Sequence, residues 1–308
     1  MARYRDLMWG SMIVTLMGLL MSLAPIGAEA VDWTAMTSGT TNHLFGVWGS
    51  SGSDVFAVGQ NGTILHYDGS TWTAMTSGTK DTLNGVWGSA GSDVFAVSDT
   101  GAILHYDGSA WKAIDSGTQN TLYGVWGSAG KDVFVVGDWG TILHYDGSVW
   151  KAMDSSSTQP LYRVWGSSGS DAFVVGRFGT VRHYDGSKWT EMNSGISNQL
   201  NGVWGSAGSD VFATDVFGTV IHYDGSKWTV IIQAVIKAGT INQLNGVWWS
   251  SGSDVFAVGQ NGRIFHDDGS KWTEMASGTK THLFGVWGSS GSDVFATGQG
   301  GTILHYTK

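Results

Sequence analysis

Cysteine is absent from the 308-residue sequence, and proline occurs only at Pro25 and Pro160. The first absence excludes a disulfide-stapled scaffold, a thiol nucleophile and thiolate metal sites. A chain of this size buries enough apolar surface to fold without such staples. Glutamate beyond Ala30 is confined to Glu191 and Glu274, and arginine to Arg163, Arg177, Arg182 and Arg263. Glycoside hydrolysis needs two carboxylates about 5–9.5 Å apart, and a sialidase needs arginines converging from several parts of the fold. Neither supply is present. No serine-nucleophile motif, phosphate-cradling loop or clustered metal ligands occur, so the sequence reads as that of a non-enzyme without a metal or cofactor. Clustered Lys and Arg are missing as well, and the net charge is −9, which argues against nucleic acid as a partner. No basic amphipathic helix suggests a membrane surface.

What is abundant is glycine, at 47, and tryptophan, at 17. Both follow from a repeat. The unit running from Leu44 to Met75, with its link to Leu83, returns until the chain ends; its first tryptophans are Trp48, Trp87, Trp126, Trp165, Trp204, Trp248 and Trp287. Successive positions differ by one constant step, lengthened by five only between Trp204 and Trp248. The step, seen from Trp48 to Trp87, falls within the period of about 20 to 50 residues that marks a repeat architecture. Within one copy, short apolar runs alternate with Gly, Ser and Asn clusters and no helical period appears. Four strands are predicted, Leu44–Trp48, Val55–Gly59, Thr63–Tyr67 and Trp72–Met75. The turns Ser50–Ser53, Gln60–Gly62 and Asp68–Ser70 are short and glycine-bearing, as tight antiparallel connections require. Radial stacking of such four-stranded meanders is a β-propeller, here of seven blades.

The segment 1–30 differs from the rest. Arg3 and Arg5 precede an apolar run from about Met12 to Leu23, and Ala28-Glu29-Ala30 has the small-x-small pattern of a cleavage site, as in a secretory signal peptide. The expected organisation is therefore a signal at 1–30 and one domain at 31–308, secreted to the periplasm or the exterior, with no membrane span after signal removal. The stretch from Val31 to Lys308 equals seven periods plus the five extra positions of the long gap. Trp33–Met36 matches a fourth strand, whereas the last copy stops after its third. Pairing of the two ends would seal the ring and remove an exposed edge. The domain is expected to be a monomer.

Seven histidines (His66, His105, His144, His183, His222, His266, His305) occupy one position of the repeat. Zinc ligands converge within about 2.0–2.3 Å of one ion, which sevenfold placement forbids, so each is expected to bond within its own blade. The aspartates at Asp54 and its equivalents are expected to accept backbone N–H bonds. The two tryptophans of each copy are read as core between blades.

The segment His66-Tyr67-Asp68-Gly69-Ser70-Thr71-Trp72 resembles a shortened kelch signature and also the Asp-box of bacterial neuraminidase-type repeats. Kelch repeats carry a Gly-Gly doublet where this chain has Gly59 alone, and the Asp-box sets Asp and Trp one residue further apart. As a whole the chain resembles secreted bacterial propellers built from V-W-G-S-x-G-S-D-V-F-A-V-G units. That resemblance implies a seven-bladed propeller and no particular activity.

In such a blade the turn after the second strand and the link after the fourth emerge on one face, and that face carries most of the variation between copies. Its turns present Asp138 and Trp139, Arg177 and Phe178, and Phe217 from three neighbouring blades. Tyr123 and Tyr162 enter the first strands nearby, and Arg163 replaces a repeated glycine. Aromatic faces with arginines and an aspartate suit stacking on sugar rings or anchoring of an extended peptide, and drift in tolerant loops would also produce such variety. Two functional readings stand: lectin-like glycan binding, or assembly and adhesion with a surface or periplasmic protein. The long gap, Trp228–Gly239, adds Val230, Ile231, Ile232, Val235 and Ile236 near an outer edge, either a partner contact or an insertion that folds back. Trp249, in a glycine position, is read as filling space made by that insertion.

Overall fold

A computed structural model describes residues 32–232, 243–251 and 254–308. Residues 1–31, and with them the signal segment, lie outside this range. The described residues form seven four-stranded antiparallel sheets, six of them in simple sequential order. In blade one the strands are Leu44–Ser51, Asp54–Gly59, Ile64–Tyr67 and Trp72–Met75. The first strand runs past its predicted end because Ser51 still pairs with Asp54 across the tight turn. The seventh sheet takes its outer strand from the N-terminus: Thr34, Ala35 and Met36 pair with His305, Leu304 and Ile303. The ring is closed as the two incomplete ends required.

The core is built at the boundaries between blades. Phe56 on the second strand of blade one stacks on its own His66 with ring centroids 4.6 Å apart. It also meets Tyr106 at 5.9 Å and Trp111 at 6.2 Å, both from blade two. Buried apolar side chains of two neighbouring blades share each cluster, as with Phe56, Val58, Ile64, Leu83, Val94 and Trp111. One blade's apolar face therefore becomes dry only against the next blade.

A polar strut repeats below this layer. His66 Nε2 lies 2.6 Å from Asp54 Oδ1, and Ser50 Oγ donates to the other oxygen of the same carboxylate. The aspartate is thus held by side chains, where the sequence reading expected backbone donors. Its carboxylate also abuts the next blade: a Cβ on Gly91 would stand 1.8 Å from Asp54 Oδ2, so only glycine fits there. In the Ser-His-Asp arrangement of hydrolases the imidazole contacts the serine. Here both bond the carboxylate, and the trio is structural.

The turns before the fourth strands hold Asp68, Asp107, Asp146, Asp185, Asp224 and Asp268. The Ser70 hydroxyl, followed by the Thr71 and Ser70 N–H groups, lowers Asp68 from 3.8 to about 2. Asp185, Asp224 and Asp268 reach about 2 chiefly through the hydroxyls of Ser187, Ser226 and Ser270. Lys112 and Lys151 push Asp107 and Asp146 lower still. A carboxylate with a depressed folded pKa adds stability above its unfolded value, and that contribution is lost as pH falls through the folded value. The melting temperature should accordingly decline between about pH 4 and pH 2 as these turns protonate; a flat thermal-melt profile across that window would contradict this origin of acid lability.

Candidate functional site

Every first strand carries the same irregularity near its start. In blade one Leu44 pairs with Gly59 and Gly46 with Val58, which leaves Phe45 unpaired in a β-bulge. The same shift leaves Asn84, Tyr123, Tyr162, Asn201, Asn245 and Phe284 unpaired in the other blades. A bulge re-aims one side chain away from the ladder. The seven bulge residues all line one cup on the ring axis, together with Arg163. The cup opens on the variable face, because the link before each first strand bonds the turn after each second strand: Gln60 N–H donates to the His43 carbonyl at 2.9 Å.

The following position is glycine in six blades, since a Cβ on Gly46 would approach Gly85 Cα to 3.3 Å. Blade four departs with Arg163. Its Nη1 donates to the carbonyls of Tyr162 at 2.9 Å and Tyr123 at 3.3 Å. Desolvation pulls its pKa below the ordinary arginine value, and a guanidinium remains cationic nonetheless. Tyr123 and Tyr162 pack with ring centroids 5.3 Å apart, and the Tyr123 hydroxyl donates to Asp138 Oδ1 at 3.2 Å. Burial first, and the Asp138 carboxylate second, push the Tyr123 phenol up to about 12. Burial also raises Tyr162, against the opposing pull of Arg177. Both phenols are therefore neutral donors at physiological pH.

Outside the cup stand the turn tips. Trp139 is 74% exposed and Phe178 60%, and the Arg177 guanidinium lies over the Phe178 ring, 4.7 Å from its centroid. Both aromatics occupy the left-handed backbone region, with φ of 56°. The equivalent residues in blades one and six are Asn61 and Asn261, with φ of 55° and 58°, and in blade seven Gly300. Asn and Gly tolerate that region; a bulky aromatic residue is strained there.

Phe217 belongs to a different turn. Asp215 replaces the glycine that opens the turn in five of the other six blades, Ser98 being the second exception, and its buried carboxylate accepts the Phe217 and Thr219 N–H groups and the Asn198 amide. Phe217 is consequently not in the left-handed region and is 41% exposed. The structure thus brings Tyr123, Tyr162 and Arg163 together at the axis, ties Asp138 to them through the Tyr123 hydroxyl, sets Trp139, Arg177 and Phe178 on adjacent tips, and leaves Phe217 apart in geometry. On the outer edge of blade five, Val230 and Ile231 are half exposed. The side chain of Ile232 and residues Val235 and Ile236 lie outside the described range.

Phe45, Asn84, Asn201, Asn245 and Phe284 escaped sequence reading. Their signal was present: the residue after the first-strand leucine varies among Phe, Asn and Tyr inside an otherwise fixed stretch. Among the described residues no three His, Asp or Glu side chains converge as a metal site would need, and no helix is long and apolar enough to cross a membrane.

No protein-family model matches the sequence, and no curated protein matches it. Solved structures do match in three dimensions. A structure of YCF48 bound to a D1 peptide aligns with a TM-score of 0.74 at 17% identity, over 91% of this chain and 96% of the other. YCF48 from Cyanidioschyzon merolae aligns with a TM-score of 0.72 at 16% identity, over 90% and 99%. At such identity the likeness carries the fold. It supports the propeller without favouring kelch or Asp-box proteins in particular.

Proposed function

We propose that this chain is a non-catalytic binding propeller whose variable face anchors an extended segment of a protein partner, with Trp139 and Phe178 as the anchors. One observation carries the reading. Two large aromatic side chains sit in left-handed backbone and stay exposed, so each costs the fold about 1–2 kcal/mol in strain without recovering it by burial. Strain kept at a surface is a signature of a site, and Trp and Arg are the side chains that dominate protein contacts. Arg177 and Asp138 beside them supply charges of both signs for fixing the register of a peptide. The YCF48 structure with its D1 peptide is a precedent for peptide binding by this fold. The N-terminal segment, read as an export signal, supports a partner outside the cytoplasm.

The test uses residues that the repeat already contains. Trp139→Asn with Phe178→Asn copies blades one and six, and should raise the unfolding free energy by about 1 kcal/mol per site as strain is relieved. The same variant should lose at least about tenfold in affinity for whatever segment a peptide array identifies. A variant that gains no stability and binds unchanged would refute the assignment. A glycan reading rests on the same ring faces, which also stack on sugars; saturable signals confined to a parallel glycan array would favour it.

A further inference from the structure

We infer that the cup on the ring axis is a binding site for a small ring-bearing carboxylate, separate from the turn-tip surface. The cup has a volume of about 190 Å³. A cavity of about 150 Å³ holds a benzene, so one substituted ring fits. Its walls include two aromatic pairs from opposite sides of the propeller. Tyr123 and Tyr162 come from blades three and four; Phe45 and Phe284, from blades one and seven, have centroids 5.2 Å apart. Paired aromatic walls favour a flat or ring-shaped guest.

The polar groups define the rest of the guest. Asn84, Asn201 and Asn245 each donate a side-chain N–H to the leucine carbonyl of the next blade, at 2.9, 3.3 and 2.7 Å. These bonds fix the amides. The Asn201 oxygen accepts from Gln199, whereas among the described residues nothing donates to the oxygens of Asn84 and Asn245, which stand as acceptors for donors on a guest. Among the described residues, Arg163 is the one cation lining the cup. Its Nη1 is held by backbone carbonyls, and among the described residues no carboxylate pairs with it, whereas Arg182 pairs with Glu191 and Arg263 with Glu274. A guanidinium fork matches a carboxylate in shape and charge, and one fixed in an aromatic cup without a counter-ion is half of an ion pair. The guest that completes it carries an anionic group at Arg163, a ring between the aromatic pairs, and hydroxyl or N–H donors toward the asparagines. An aromatic acid and a sugar acid both meet this description.

Calorimetric titration of the full chain with benzoate and with glucuronate, against benzamide and glucose as neutral controls, tests the site. At least one carboxylate should give a saturable one-site isotherm, with its neutral counterpart about tenfold weaker or more. The preferred carboxylate identifies the ring. Arg163→Gly, the residue of the other six blades, should weaken that binding at least about tenfold with the melting temperature little changed, and Tyr162→Asn, the residue of three other blades, should weaken it independently. Trp139→Asn with Phe178→Asn should leave it unaltered, so failure here is distinguishable from failure at the turn tips. Absence of saturation by both carboxylates up to about 10 mM, equal binding of a neutral control, or an Arg163→Gly variant of undiminished affinity would overturn the inference.

Discussion

Removing residues 33–36 should leave a chain that aggregates and no longer melts in a single transition. Trp33 is 2% exposed and packs on Phe256 and Tyr306, with centroids 6.1 and 5.5 Å away. Truncating a buried tryptophan to alanine costs about 3–5 kcal/mol, and the deletion also removes the ladder from Thr34–Met36 to Ile303–His305. It uncovers the third strand of blade seven as a bare edge, a template for pairing with another chain. Trp33→Ala isolates the packing from the ladder and should lower stability by about 3–5 kcal/mol while the protein stays monomeric. Size-exclusion chromatography and thermal melting together check both. A truncated chain that elutes and melts like the complete one would show that the closing strand is dispensable.

The second large effect concerns the boundary between blades five and six. In the other six blades the third strand carries, directly after its histidine, a tyrosine that meets the phenylalanine of the preceding blade, as Tyr106 meets Phe56. Blade six has Asp267 there, and Phe212 loses that partner. Trp249 replaces it: its ring lies 3.8 Å from Phe212, parallel to Trp204 within 4°, and 3% exposed. The glycine normally found at this position leaves room for the preceding blade's tryptophan, 2.7 Å from where a Cβ would be at Gly205, so Trp204 shifts toward Trp165, with centroids 5.7 Å apart. Trp249 thus fills the space left by the exchange of Tyr for Asp267. Trp249→Gly alone should cost about 3–5 kcal/mol as a cavity opens. Asp267→Tyr alone should cost about 1–3 kcal/mol through overpacking. The double variant rebuilds the boundary found elsewhere, and the two losses should largely cancel in a double-mutant cycle of denaturant melts. Strictly additive losses would show that the two positions are independent.

Much of the candidate site could be read in advance, for reasons that differ by residue. Trp139 and Phe178 stood out because large apolar residues at turn tips contradict local turn chemistry, and the structure adds that both are strained. Phe217 looked equivalent to them. One buried carboxylate, Asp215, rebuilds its turn through bonds to Phe217, Thr219 and Asn198, an effect invisible to position counting. Most of the axial cup was missed because Asn and Phe are unremarkable on a strand; what makes them neighbours is a bulge repeated seven times around an axis.

The blade and the number of blades were therefore written in the chain itself. Alternation of period two, glycine-bearing turns and a constant repeat length are local properties, and each copy states them again. The matching of an orphan fourth strand to a chain end short of one made closure legible too. The cup around Arg163, the exchange between Trp249 and Asp267 and the side-chain partners of Asp54 depended on folding in three dimensions, because each joins residues of different strands or blades. Register shifts and packing volumes between blades are set by the closed ring as a whole, and no single copy of the repeat contains them.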